Sequence, residues 1–342
     1  MSPNSNLAVG ATQRAGLQPL RVRHPEIFTV ALIVLVSLTV GAINPAFFQV
    51  STFFDLLRSS TVIGLFALGV LIVLASGGID VSFTAIAALS MYSLTKWVYA
   101  FWPAAPIALI LGSGAVFGVL LGLINGFLVH HLKAPSLIVT VGTQYLFRGI
   151  LLTFVGTVFF MNIPPSMDSF GRLALITLST GAVGQTSMTV LPVFFLILLV
   201  CSVLTWFILN RTLMGRAIYA VGGSLTIAER LGYNIKAVHL FVFAYSGFLA
   251  GLAGIVHVSS NRLANPFDLV GIELDVIAAV ILGGARITGG TGSVLGTLLG
   301  VLLVVLINNV LILAGVPSTW QKVIVGCFIL IAGAAFSFER RK

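Results

Sequence analysis

The sequence predicts an all-α, polytopic membrane protein with about ten transmembrane helices, one or more of them broken or partial. Hydrophobic residues make up 58% of the 342-residue chain and charged residues only 8%, against about 25% charged in a soluble domain. So few ionisable groups cannot clothe a water-facing surface, and lipid is the expected solvent. Apolar stretches long enough to cross a hydrocarbon core, about 20 residues each, recur along nearly the whole chain.

Taken in order, residues 1–26 are polar, hold Arg14, Arg21 and Arg23, and read as a cytoplasmic tail. The apolar stretch behind them is too long, and too poor in a small-residue cleavage site, for a signal peptide, so it reads as a retained first span. The expected spans are 27–44, 57–76, 81–101, 107–131, 136–157, 190–209, 238–258, 272–284, 291–313 and 317–337. Segment 272–284 is short enough to be a partial crossing. Together 27–337 form one transmembrane unit with two long polar interruptions. Segment 162–189 carries Pro164, Pro165, Asp168 and Arg172 and is expected outside, in the periplasm. Segment 210–237 carries Arg211, Arg216, Arg230 and Lys236 and is expected in the cytoplasm, as is the C-terminus, 338–342.

Orientation follows from the positive charges, because Lys and Arg flanking a span resist translocation. With the N-terminus inside, the inner side also gains Lys133, Arg286, Arg340, Arg341 and Lys342. Arg58, Lys96, Arg172, Arg262 and Lys322 fall at or near the outer side, and Arg148 lies within a span. Both termini are therefore expected inside. The formal charge of +9 has this origin, and nucleic acid is not an expected partner, since no basic run is interleaved with stacking aromatics outside the spans. Cys201 and Cys327 both fall in apolar stretches, where a thiol behaves as a small hydrophobe.

Helices in lipid are held together by close backbone approach through small residues. Gly114, Gly118, Gly122 and Gly126 form one helical ridge, Gly292, Gly296 and Gly300 a second, and Gly247 with Gly251 a third. Packing is the expected role of all three.

Chemistry-bearing motifs are sparse. The chain has no phosphate-binding loop, no Gly-rich turn in a strand-turn-helix unit and no serine elbow, so no catalytic residue and no cofactor-binding residue is assigned. His130 and His131 point about 100° apart on a helix and do not make a metal site. Ser76-Gly77-Gly78-Ile79-Asp80-Val81-Ser82 is a polar break between apolar runs. Glycines there let the backbone unwind, and an acid at membrane depth normally faces protein or a watery cavity. Asp80 equally fits a cytoplasmic loop or a cap on the next helix. Glu273 and Asp275 stand two residues apart, on different helix faces, which argues against a paired acid and base. A structural or docking role at the outer rim is expected for them. Asn125, Gln144, Arg148, Asn308 and Asn309 are the other polar residues within spans.

Several segments together resemble one family, the permeases of bacterial ATP-binding-cassette importers for ribose, xylose and related monosaccharides. They are Gly77-Gly78-Ile79-Asp80-Val81-Ser82, Gly122-Leu123-Ile124-Asn125-Gly126, the run from Pro135 to Thr143, the run from Gly215 to Gly223, and the run from Leu274 to Gly284. The resemblance runs over roughly residues 40 to 330 and extends to permeases for the furanone signal autoinducer-2. It implies a transmembrane permease domain that is not an enzyme and sits in the bacterial inner membrane. It further implies a cytoplasmic ATPase that binds the ATP, a periplasmic solute-binding protein, and a second permease subunit, identical or homologous. Ile227, Ala228, Glu229, Arg230, Leu231 and Gly232 would form the short cytoplasmic helix that couples to the ATPase. Asp80, Asn125, Gln144 and Asn308 are the expected translocation-path residues. An ion-coupled secondary transporter is the rival class, and it would depend on membrane-embedded acids, of which the chain offers chiefly Asp80.

Overall fold

The computed structural model describes residues 25–180 and 187–313 and, beyond them, Trp320, Val323, Gly326 and Cys327. Apart from those four residues the expected span 317–337 lies outside the described residues, as do 1–24 of the N-terminal tail and the C-terminus 338–342. The other nine expected spans each coincide with a helix.

Helix α1, Pro25–Ile43, is apolar along its length and leads into a 3-10 turn, Pro45–Phe48, whose start is capped where Asn44 Oδ1 accepts from the Ala46 N–H at 3.0 Å. Helix α2, Val50–Ala75, is followed by the polar break and by α3, Phe83–Phe101. Next come α4, Ile107–Leu132, and α5, Ser136–Ile150, prolonged by one π-helical turn, Leu151–Val155. A short helix α6, Pro165–Arg172, precedes the strands β1, Ala174–Thr180, and β2, Ser187–Pro192. Helix α7, Phe195–Arg211, bends by 73° into α8, Leu213–Gly223, and α9, Leu225–Arg230, follows. The chain continues through α10, Ile235–Asn261, the short α11, Glu273–Leu282, and α12, Val294–Leu313.

The strands depart from the all-α expectation. They pair antiparallel, with Thr177 opposite Val190, inside the segment read as a plain polar excursion and running into the expected span at 190. Ala-Leu-Ile-Thr-Leu-Ser-Thr in β1 and Ser-Met-Thr-Val-Leu-Pro in β2 are rich in β-branched residues, which suit a pleated ribbon.

Among the described residues, length and apolarity together qualify four helices to cross a membrane: α2, α4, α5 with its π turn, and α10. The bent pair α7 and α8 makes a fifth if taken as one span, while α1 and α12 are shorter apolar helices. The chain is a helical membrane protein on this basis. Val34, Leu35 and Leu38 of α1, Val116 and Leu120 of α4, and Val200, Val203 and Phe207 of α7 all point outward. Removing a Leu or Phe side chain from water is worth about 1.5–3 kcal/mol, so this belt is stable in lipid and not in water.

The centre is built on α2 and α10, the two most enclosed long helices. The first glycine ridge packs where the sequence placed it. A Cβ at Gly118 would lie 2.0 Å from the Gly247 carbonyl oxygen, and one at Gly251 would lie 2.0 Å from that of Gly114. Helices α4 and α10 thus touch backbone to backbone. In the second ridge Gly296 and Gly300 seat α12 against α11, with would-be Cβ atoms 2.0 Å from the Gly283 oxygen and 1.9 Å from that of Ala279. Helix α1 is tied to the same corner by Thr29, which donates to the Leu282 carbonyl at 2.7 Å, and by Glu26, which accepts from Ser293 at 3.0 Å.

Candidate functional site

The break between α2 and α3 organises the polar interior. Helix α2 ends because Gly77, at φ 83°, takes the left-handed conformation. The Gly78 N–H then reaches back to the Val73 carbonyl at 3.0 Å and that of Gly77 to Leu74 at 2.8 Å, the paired closure of a Schellman motif. Beyond it the chain leaves the helix and is held by α5. The Ile79 N–H donates to Ser136 Oγ at 2.8 Å, and Thr140 Oγ1 donates to the Ile79 carbonyl at 3.2 Å.

Asp80 follows, only 1% exposed. Its Oδ1 accepts from the Ser82 N–H at 2.8 Å and from Ser82 Oγ at 2.7 Å, and its Oδ2 accepts from Ser246 Oγ of α10 at 2.9 Å. Asn125 of α4, also fully buried, donates through Nδ2 to Ser82 Oγ at 2.6 Å. The carboxylate sits at the N-terminus of α3, where the helix dipole favours negative charge. Three helices and the break therefore converge on one buried acid.

One turn further along α3, Thr84 Oγ1 donates to Glu273 Oε1 at 2.6 Å, and Gln144 Nε2 of α5 donates to the same oxygen at 2.8 Å. Glu273 also acts electrostatically on Arg148, whose Nη2 donates to the Phe267 carbonyl at 3.3 Å. Glu273 is buried at the start of α11, where it binds α3 and α5 together, a structural role. Asp80, Asn125 and Gln144 thus line adjacent turns of one polar layer threaded by the start of α3. Asn308 is half-buried on α12 and joins neither network, and its neighbour Asn309 donates to its own helix, at Val305, at 2.9 Å.

Sequence reasoning gave no site role to Ser82, Thr84, Ser136, Thr140 and Ser246, which supply most of the hydrogen bonds. Small hydroxyls inside apolar helices look like filler, because they usually bond their own preceding turn. For two of them a signal was available in a neighbouring glycine or proline, Ser246-Gly247 and Pro135-Ser136.

The second candidate region is α9. Ser224 caps it, its Oγ accepting from the Ile227 N–H at 3.4 Å. Gly232, at φ 84°, closes it: the Gly232 N–H reaches the Glu229 carbonyl at 3.0 Å and that of Tyr233 reaches Ala228 at 3.1 Å, again a Schellman motif. Ala228 is wholly buried, while Ile227 is 60% and Leu231 69% exposed, and Glu229, Arg230 and Gly232 are exposed as well. The result is a short, capped helix anchored by one small residue and presenting mixed apolar and charged groups.

A buried polar layer inside a helical shell with an outward apolar belt is the layout of a membrane transport protein. The chain belongs to the family described as the permease component of branched-chain amino acid transport systems, which it matches over residues 52–333. It is similar to the ribose import permease protein RbsC of Haemophilus influenzae, with 34% identity over 316 residues, covering 90% of this chain and 92% of that one. RbsC of Escherichia coli is 31% identical over 306 residues, covering 89% and 90%. The autoinducer 2 import system permease protein LsrC of Yersinia pestis is 31% identical over 295 residues, covering 85% and 78%. No solved structure matches the chain.

Proposed function

We propose that this chain is the membrane-spanning permease subunit of an ATP-binding-cassette importer and forms the translocation path for a monosaccharide or sugar-like solute. The observation that carries this reading is α9, a turn closed by its own cap and by Gly232, anchored through Ala228 and otherwise exposed. An apolar and charged knob of that kind suits a cleft on a partner protein, and the names of the ribose import relatives support the class of solute.

In this reading the chain makes about ten crossings in the bacterial inner membrane, with both termini and 210–237 in the cytoplasm and 162–189 in the periplasm. Ile227 to Gly232 engage a cytoplasmic ATPase, which binds the ATP; the permease carries no cofactor and performs no catalysis. A periplasmic solute-binding protein delivers the solute, and a second permease subunit completes the path. Asp80, Asn125, Gln144 and Asn308 are assigned to that path, the first three with support from their shared polar layer. ATP-driven closure of the ATPase moves α9, and the helices above it alternate between two arrangements.

Similarity to LsrC favours an autoinducer-2 importer as the second reading. An ion-coupled transporter fits less well, because the Asp80 carboxylate is already tied by three hydrogen bonds within the fold. Uptake into membrane vesicles separates the classes. The proposed importer requires ATP and a soluble binding protein, whereas uptake driven by an ion gradient in their absence refutes it.

A further inference from the structure

Arg148 lies in the last turn of α5, ahead of the π turn that prolongs the apolar span to Val155, one turn after Gln144, and is half-buried. A guanidinium presents five N–H donors in a planar fork, and the bond to the Phe267 carbonyl takes up one nitrogen. Placing an arginine against the centre of a bilayer costs about 2.5–3.5 kcal/mol or more. The open side of this guanidinium therefore faces water or protein, and so does the flank of α5 that bears it.

Two aromatic residues belong to the loops that the Arg148 bond reaches, Phe267 whose carbonyl accepts it and Phe159 beside Phe267. Phe159 and Phe267 are both about half exposed, and their ring centroids lie 6.1 Å apart. Their loops are clamped to each other by backbone, through reciprocal bonds between Phe160 and Ala264 at 3.0 and 3.1 Å. The ring pair is thus positioned by the main chain rather than by lipid-facing packing.

We propose that Arg148, Phe159 and Phe267 form a contact site for a neutral, polyhydroxylated solute. The fork donates to adjacent hydroxyls, and the ring faces pack on the C–H surface of a sugar. This assignment rests on the permease reading above and narrows its solute class. Glu273 offsets the positive charge, so the site as a whole does not favour an anion. It does not offer itself to an ammonium group either, because it is buried and its Oε1 already accepts from Thr84 and Gln144. A zwitterionic amino acid therefore finds only half of what it needs.

The test uses the complete assembly in proteoliposomes, with saturating binding protein and D-ribose as the probe. Arg148→Lys keeps the charge and loses the fork, and Phe267→Ala removes an exposed ring that the fold does not need. Ribose uptake is expected to fall roughly tenfold in the first, the loss of one charge-assisted contact, and several-fold in the second. The amount of assembled protein in the membrane stays at wild-type level in Phe267→Ala, whose ring is about half exposed. Wild-type uptake in both variants overturns the site while leaving the permease reading intact. A wild-type assembly that imports no D-ribose or other neutral sugar overturns both. Dissociation of the variant permease into monomers, seen by light scattering, identifies a second copy as the cover of this flank and likewise overturns the site.

Discussion

The two oxygens of Asp80 differ in freedom. Ser82 N–H can only donate, and Ser82 Oγ already accepts from Asn125 Nδ2, so its own hydrogen must go to Asp80 Oδ1. Ser246 Oγ has no such constraint, since a hydroxyl can turn and accept instead. Asp80→Asn, with its carbonyl toward Ser82 and its amide toward Ser246, can keep every contact while losing the charge. We expect near-wild-type yield and thermal stability in that variant, with solute uptake several-fold lower. Asp80→Ala leaves three donors unanswered, at on the order of 2–3 kcal/mol, and should lower yield as well. Wild-type uptake by the Asn variant would reduce the carboxylate to scaffold. Asp80, Asn125 and Gln144 were each legible in the sequence as polar residues within or between apolar runs. Their convergence was not, because Ser82 meets Asn125 across 43 residues of chain and Thr84 meets Glu273 across 189. The partners of Glu273 were illegible for the same reason: spacing within one helix says which face a residue takes, not what another helix brings to it.

At the scale of the helix, glycine periodicity was the most legible feature, because a ridge needs the same small residue at every turn. The test is a contrast within α4. Gly118→Ala puts a methyl 2.0 Å from the Gly247 oxygen, whereas Gly112→Ala meets nothing within 4 Å. The first should cost about 1–3 kcal/mol by forcing the helices apart and lower the yield of folded protein, and the second should leave it unchanged. Equal yields would remove backbone contact as the glue of this pair. Helix α9 makes a different demand. Gly232→Pro takes away the N–H that bonds Glu229 and imposes a negative φ where +84° is needed, so the knob loses its stop. In the proposed assembly, ATP hydrolysis should then continue with little uptake while the protein remains in the membrane, as also after Glu229→Arg. Unchanged coupling in both would withdraw the assignment of Ile227 to Gly232. The β-hairpin was not legible, since its two short strands carry no turn signal strong enough to stand out from a polar excursion.

For the molecule as a whole, the question is how motion at α9 reaches Asp80, and the backbone gives a route. The end of α8, the end of α2 and the loop between α11 and α12 meet through glycines. A Cβ on Gly222 would lie 2.0 Å from the Ala75 oxygen and 2.6 Å from the Gly290 nitrogen, and that nitrogen donates to the same Ala75 oxygen at 3.0 Å. Gly289, at φ 87°, packs against Gly77, where its Cβ would come within 2.7 Å of the Gly77 Cα. Tyr219 of α8 adds a bond to the Gly292 carbonyl at 2.8 Å. No flexible side chain intervenes at the glycine contacts, so a shift of α8 and α9 must be passed to Ala75 and Gly77, three residues before Asp80. Packed elements of this kind move between discrete arrangements rather than deforming smoothly. Adjacent glycines supply the control: Gly222 is pinned on both sides, whereas a methyl on Gly223 meets nothing within 4 Å. Gly222→Ala should therefore lower the solute imported per ATP hydrolysed, measured on whatever assembly remains folded, and Gly223→Ala should leave that ratio at the wild-type value. If the two variants import equally well per ATP, the glycine junction does not carry the coupling, and the force from α9 must travel through α10 and its Ser246 bond instead.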